Sequence, residues 1–553
     1  MQRRDLIRAA SMAGAVGLAP SMTLSAQENV VLPADADIDT GLDITTAMTT
    51  AGPVRGYRQG GVKMFKGVPY GAPTGGAGRF RPPRPPRAWA EVRSCLHYGP
   101  IAPQDKGTGR FQDEEAFIFR WNDAVEDEDC LRLNVWTPAL DDAPRPVLVW
   151  LHGGGFAAGS GHDIPAFDGA NLAATGEAVV VTLNHRLNLL GFLDLSEWGE
   201  EHAASANLGM LDIVAALRWV RDNIARFGGD PTRVTIFGQS GGGAKVTALM
   251  AMPEAKGLYH RAMVLSGSFA MFNTPDKARR LSVLVLEELG IARGDMPSLQ
   301  ALPYVRLRAA AERVLARINP TFDGFVDVRQ IPDMLNFAPT LDGKILLPDP
   351  RHPNHAASDP QVPLIIGSTL NEFVTGINDP AAFAMTDDEL RRKVARFVPA
   401  NAEAAIAALR ATGPQDKPFA LWSRMATAPI RQAVIDQARR RLQTGSAPTW
   451  LFWFTWQCPV LDGRPMAFHC LDIPFWFGNA RTCASMTGGG REAVALSGSM
   501  VRALLAFAAN GVPKAPDLPA WRAVSGVDMA SLQLASSPVM VGEVDAAERA
   551  VLA

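Results

Sequence analysis

The sequence predicts an α/β fold: one mostly parallel central sheet with flanking helices and helical cap insertions. Two observations carry this. Short, continuously apolar, β-branched runs alternate with longer helical patterns along the chain. Most of these runs lack polar alternation, as expected for strands covered on both faces. The clearest strands are 146–151, 178–183, 233–237, 262–265, 363–366 and 449–454. Between the second and third, Met210, Ile213, Val214, Leu217, Val220 and Ile224 recur at three- and four-residue steps, with Arg218, Arg221 and Asp222 opposite. That is an amphipathic helix, and strand–helix–strand in this rhythm argues parallel crossover units.

The chain has 553 residues, 47% hydrophobic and 20% charged, the composition of an ordinary globular enzyme. Two helical, Arg/Ala-rich stretches, around 276–348 and 379–447, are each followed by renewed strand patterns. They read as cap insertions within a single catalytic domain spanning 27–553. A formal net charge of -2 gives no reason to expect nucleic acid or an anionic membrane as partner. The sequence offers no uninterrupted apolar stretch of about twenty residues, so stable membrane insertion is not expected.

The first 26 residues read as an export signal. Arg3-Arg4 precedes a mildly apolar stretch at 9–19, and Ser25-Ala26 forms a small-residue cleavage site. The paired arginine points to the twin-arginine route and so to a periplasmic or secreted bacterial protein. The proline-rich stretch 79–87 reads as an extended surface segment. Cys95, Cys130, Cys458, Cys470 and Cys483 are odd in number, so at least one thiol is unpaired; one or two bridges are open to the others.

Gly238-Gln239-Ser240-Gly241-Gly242 joins the strand at Val234-Thr235-Ile236-Phe237 to a helix predicted over 244–252. Ser240 therefore sits on a tight strand-to-helix turn, where flanking glycines admit a strained backbone and leave the hydroxyl exposed. This is the nucleophile elbow of an α/β-hydrolase fold. The helix N-terminus behind it favours negative charge. Upstream, His152-Gly153-Gly154-Gly155-Phe156 directly follows the strand ending at Leu151. Residues without side chains bring backbone N–H donors close to a developing oxyanion. Gly154 and Gly155 are the expected donors, joined by the N–H of Gly241.

In this fold the triad runs serine, acid, histidine. Of the histidines after Ser240, His260 is too close to the elbow helix, and His352 and His355 sit in a proline-rich segment. His469, just past the strand 449–454, remains as the base. Glu372 is the first carboxylate after the strand 363–366 and is the expected acid, with Asp342 and Asp349 as competitors.

With these residues in place the chain resembles the type B carboxylesterase and cholinesterase-like family across about residues 50–525. Matching segments include Phe65-Lys66-Gly67-Val68-Pro69-Tyr70, Arg79-Phe80, Trp89 and Glu128-Asp129-Cys130-Leu131-Arg132-Leu133-Asn134-Val135. Asn184-His185-Arg186-Leu187, Phe227-Gly228-Gly229-Asp230-Pro231 and Ser266-Gly267-Ser268 match as well. The resemblance implies a serine carboxylesterase with the triad Ser240, Glu372 and His469, and a serine beside it at Ser266. Gln239 and Gly241 stand where the family usually has Glu and Ala, and Asp472 where Glu is commoner. Ala102 stands where relatives place the partner of the cysteine equivalent to Cys130, so that bridge is absent unless Cys95 substitutes.

The implied substrate is a small carboxylic ester, bulky or aromatic, with Phe156, Trp121, Phe475 and Trp476 as candidate pocket walls. No cofactor or metal is expected, since the sequence holds neither a zinc-spaced cluster nor a P-loop. Choline preference, suggested by Trp121, is the weaker expectation. The competing functions are a same-fold amidase, thioesterase or acyltransferase, and a non-catalytic binding protein of the same family.

Overall fold

Among the described residues of the computed structural model, fifteen strands order the chain. They are β1 (Ile38–Asp39), β2 (Thr46–Met48), β3 (Pro53–Arg55), β4 (Tyr57–Gln59), β5 (Val62–Pro69), β6 (Arg93–Ser94) and β7 (Arg132–Thr137). Next come β8 (Arg145–Leu151), β9 (Val179–Leu183), β10 (Gly229–Gln239) and β11 (Arg261–Leu265). Last are β12 (Leu364–Thr369), β13 (Thr449–Phe454), β14 (Ser531–Leu534) and β15 (Val539–Val541). The structure describes residues 37–104, 112–122, 124–268, 272–319, 327, 329–330, 333–348, 360–526 and 528–552. The export-signal segment, Asp349, His352 and His355 lie outside the described residues.

Twelve strands form one sheet in the order β1-β4-β5-β7-β9-β8-β10-β11-β12-β13-β14-β15, and β2, β3 and β6 form a small second sheet. From β9 to β14 every neighbouring pair is parallel; the outer pairs are antiparallel. Successive side chains of a strand point to opposite faces, and here that feeds two separate cores. Val147, Val149 and Leu151 of β8 join one cluster with Ile236 and Leu451, under the helix Leu208–Asn223. Leu148 and Trp150 join the other with Phe237, Phe452 and Phe454, under the helix Arg491–Asn510. Each such buried side chain contributes about 1.5–3 kcal/mol. A polar substitution on either face would therefore be costly, which is why the strand pattern is unbroken.

Two helical stretches, Glu200–Phe227 and Arg491–Asn510, are long and apolar enough to cross a membrane, although the sequence reading found no such run. Most of each is buried inside the molecule. They are core helices covering the sheet. Arg186 and Asp212 lock the loop after β9 to the first of them, with Nη2–Oδ1 2.6 Å and Nε–Oδ2 2.8 Å, both side chains buried.

Helices fill both stretches read as caps. Pro275–Leu289, Met296–Ala301 and Tyr304–Ile318 occupy the first, and their Leu281, Val285, Leu299 and Leu307 pack into the sheet's own core. In the second, Asp387–Phe397 and Ala402–Thr412 form a third cluster with Phe419 and Trp422. The long helix Pro418–Gln443 then runs back onto β12 and β13, with Val434 and Ile435 in the main core. Its second half is the crossover between two parallel strands and not an insertion above them. Crossover and insertion helices share one period, so the pattern alone did not separate them. All five cysteines lie among the described residues and are free thiols, so no bridge forms, including one between Cys95 and Cys130.

Candidate active site

Strand register brings the candidate residues to one edge. Leu151 pairs with Gly238, Gln239 with Leu265, Leu265 with Gly367 and Thr369 with Phe454. The carboxyl ends of β8, β10, β11, β12 and β13 are thus aligned, and the oxyanion loop, Ser240, Ser266, Glu372 and His469 all leave from that edge. Ligands of open α/β sheets bind outside these ends.

Ser240 has φ 57° and ψ -125° and caps the helix Gly241–Leu249, which starts three residues before the predicted one. A non-glycine residue holds such a conformation only when its surroundings fix it. Here the backbones close in: a Cβ on Gly242 would sit 2.0 Å from the Leu151 carbonyl oxygen. Ser240 itself is tied by its N–H to the Leu265 carbonyl, 2.8 Å away. Gly241 opens the helix, so its N–H precedes the first intrahelical bond. Gly154 and Gly155 have φ 79° and 62°, a turn that L side chains rarely adopt. The Gly153 position lies against the elbow, its Cβ site 3.5 Å from the Ser240 Cβ.

His469 and Glu372 are paired. The imidazole Nδ1 meets Glu372 Oε2 in a short contact, and the Glu372 carbonyl accepts the His469 N–H at 2.8 Å. Glu372 Oε1 accepts the Thr369 N–H at 2.9 Å, and the side chain is buried. With Nδ1 donating to a carboxylate, Nε2 carries the lone pair a general base needs. The Gln239 amide Nε2 stands 3.1 Å from that nitrogen, while the Ser240 hydroxyl makes no hydrogen bond among the described residues. The Gln239 Oε1 accepts the Cys470 thiol at 3.2 Å. Two sides of the site are therefore assembled, and the serine–histidine link is open in this arrangement.

Asp472 is fully buried, and among the described residues neither of its oxygens makes a hydrogen bond of good geometry, its own N–H and the Trp476 side chain offsetting only part of the burial. Burial, followed by the negative charge of Glu372, pushes its carboxyl up to about 8. It holds its proton at neutral pH.

The other expected residues separate into two groups. Trp121 stacks on Phe119 at 4.9 Å, and Phe119 meets Phe468, the residue before His469, edge-on at 5.7 Å; Phe119 and Phe468 are buried in the core. Phe156 is buried against Phe192, and with Gly155, Ala157, Leu189, Tyr304 and Phe337 it lines a cavity of about 160 Å³. Phe475 and Trp476, expected as pocket walls, are instead fully buried core residues packed on Phe454 and Phe452. Ser266 is buried, with φ 48° and its hydroxyl without a partner. Asp342 accepts the N–H groups of Lys344, Ile345 and Leu346 and folds its own loop. His260 Nδ1 accepts the Val234 N–H. Sequence reasoning missed Phe373, which is 48% exposed and lies with its ring centroid 3.9 Å from that of His469. Its position directly after Glu372 was the available signal.

Two outcomes are expected. The Gly241→Ala methyl would lie 2.2 Å from the Gly155 carbonyl oxygen and push the oxyanion donors apart. Losing one donor outright costs about 10²–10³ in kcat, so kcat should fall about 10–100-fold with KM little changed, by steady-state kinetics on titrated sites. Wild-type kcat would contradict the close approach. For Asp472, the folded-state value lies above the unfolded one, so its stabilising contribution is whole below about pH 4 and is lost as pH rises to about 8. Asp472→Asn should remove that slope: urea titrations should show the variant gaining on wild type between pH 4 and 8. Parallel stability curves would refute the buried proton.

Comparison with known proteins agrees with this architecture. The carboxylesterase family profile matches residues 43–551. The para-nitrobenzyl esterase of Bacillus subtilis is 36% identical over 479 residues, 84% of this chain and 90% of that protein. The phenmedipham hydrolase of Pseudarthrobacter oxydans is 33% identical, covering 88% and 94% respectively. Among solved structures, a carboxylesterase of Geobacillus stearothermophilus superposes with TM-score 0.75 at 34% identity, covering 92% of this chain and 100% of that one. An esterase of Clostridium hathewayi that can hydrolyse aliphatic aromatic polyesters reaches TM-score 0.80 at 31% identity, covering 94% and 99%. The chain is thus a carboxylic ester hydrolase of the α/β-hydrolase fold and belongs to the carboxylesterase family.

Proposed function

We propose that the protein hydrolyses bulky or aromatic carboxylic esters through an acyl-enzyme on Ser240. The observation that supports this best is the Glu372–His469 pair standing over an elbow whose serine has φ 57°. As a substrate enters, the Gln239 amide releases His469 Nε2, which takes the Ser240 proton while the serine oxygen attacks the ester carbonyl. The N–H groups of Gly154, Gly155 and Gly241 receive the oxyanion, and helix Gly241–Leu249 adds its positive end. The imidazolium, held in one tautomer by Glu372, returns the proton to the leaving alcohol. Water then repeats the sequence on the acyl-enzyme.

The preference for aromatic groups is supported by Phe373, 48% exposed with its ring centroid 3.9 Å from that of His469. An aromatic leaving group or acyl chain stacks there with offset or edge-on geometry. The names of two relatives, a para-nitrobenzyl esterase and an esterase acting on aliphatic aromatic polyesters, agree with such a pocket.

Ser240→Ala should abolish p-nitrophenyl ester turnover with the fold intact by circular dichroism, and undiminished activity would sink the assignment. Glu372→Gln should lower kcat by about 10⁴, the cost of the wrong tautomer in other triads. A panel varying acyl length and alcohol bulk should give its highest kcat/KM for aryl or benzyl esters. Equal or faster cleavage of small aliphatic esters would overturn the substrate class.

A further inference from the structure

The elbow helix Gly241–Leu249 has one charged residue, Lys245, and it is fully buried. Among the described residues no carboxylate pairs with it, and burial is what lowers its ammonium. Its Nζ donates to the His152 carbonyl at 2.9 Å and stands 5.7 Å from the centroid of the Phe156 ring. His152 and Phe156 are the residues immediately before and after Gly153-Gly154-Gly155. The buried cation therefore hydrogen-bonds one end of the glycine loop and lies within cation–π range of the ring at the other, from the helix that follows Ser240.

The surroundings are as unusual. His152 and His185 stack with centroids 5.0 Å apart. The Nδ1 of each meets a carbonyl oxygen, of Gly153 at 2.9 Å and of Arg186 at 2.8 Å, and the Nε2 of each has no partner. Burial, with the charge of Lys245 next, pushes both imidazoles well below their ordinary range, so they are neutral. Arg186 is neutralised by Asp212 on the neighbouring helix. An unpaired buried ammonium is costly. A purely structural role would be served better by an apolar side chain of the same length.

We propose that Lys245 is a positioning residue of the oxyanion hole, holding the His152–Phe156 loop against the elbow and placing a fixed positive charge behind the backbone donors. This rests on the reading of Ser240 as the nucleophile. A charge that finds its counter-charge only when the tetrahedral oxyanion forms acts on the transition state and not on substrate binding, so it raises kcat and leaves KM alone. Burial brings Lys245 down to about 7: the charge is present below that pH and lost above it. His152 and His185 stay neutral throughout and Arg186 and Asp212 stay paired, so Lys245 is the member of this cluster that changes charge between pH 6 and 9.

The test compares wild type with Lys245→Gln, which keeps a donor for the His152 carbonyl but no charge, and with Lys245→Met, which keeps neither. Active sites are counted by organophosphate titration. At pH 6, Lys245→Gln should show kcat down about tenfold with KM within twofold, and Lys245→Met a larger loss. Assayed in an Asp472→Asn background, which removes the carboxyl brought up to about 8 beside Glu372, kcat/KM should decline between pH 7 and 8.5 toward the Lys245→Gln level, and that descending limb should be absent from both Lys245 variants. Wild-type kcat in Lys245→Gln, or a loss constant at every pH with the descending limb retained, would overturn the proposal. If neither variant yields titratable sites, the Asp472→Asn profile decides: no alkaline decline in kcat/KM overturns it. Inactivity of Ser240→Ala is unaffected by any of these results, so this proposal can fail while the nucleophile stands.

Discussion

Where β8 and β10 end side by side, two backbones come so close that no side chain fits between them. The Leu151 carbonyl lies where a Cβ of Gly242 would be, and Gly155 lies where a Cβ of Gly241 would be. This contact fixes the turn that holds Ser240 at φ 57° and sets the oxyanion loop at a constant distance from the serine. Everything else at the site is referenced to it. The parallel register across five strands places the ends of β11, β12 and β13 alongside, so Glu372 and His469 reach the same point from separate crossovers. A flexible turn could carry the same residues, but it could not keep donors positioned for an oxyanion before one exists.

The electrostatics follow from burial around that contact. The Glu372 carboxyl is satisfied by the Thr369 N–H and the imidazole. Burial, and then the charge of Glu372, raises the Asp472 carboxyl to about 8, so it keeps its proton at neutral pH. Gln239, in place of the family's usual glutamate, adds an amide and no charge. On the helix after Ser240, buried Lys245 donates to the His152 carbonyl beside two neutral histidines.

Much of this was legible in the sequence, for physical reasons that differ from element to element. Strands such as 146–151 announced themselves because both of their faces are buried, so no polar residue interrupts them. The elbow and the glycine loop were legible because close backbone approach excludes side chains and leaves glycine as a trace. Glu372 and His469 were reached through chain order and position after a strand. Long-range packing left no such trace. Phe475 and Trp476 read as pocket walls because they follow His469, yet the short helix Ile473–Trp476 turns them into the core. Phe373 and Gln239 touch His469 only because strand ends converge, a relation that no local pattern records. Lys245 in the sequence is one lysine on a short helix, and its burial appears only once β8 packs beside it. The helix Pro418–Gln443 was misplaced since its period is the same whether it crosses the sheet or sits above it.

The central claim is that Ser240 alone is activated for attack. Incubating the protein with diethyl p-nitrophenyl phosphate and mapping the adduct by peptide mass spectrometry tests this directly. The account predicts one diethylphosphoryl group per chain, on Ser240, formed in step with the loss of esterase activity. Inactivation with the label on another residue, or full activity with Ser240 quantitatively labelled, would contradict it.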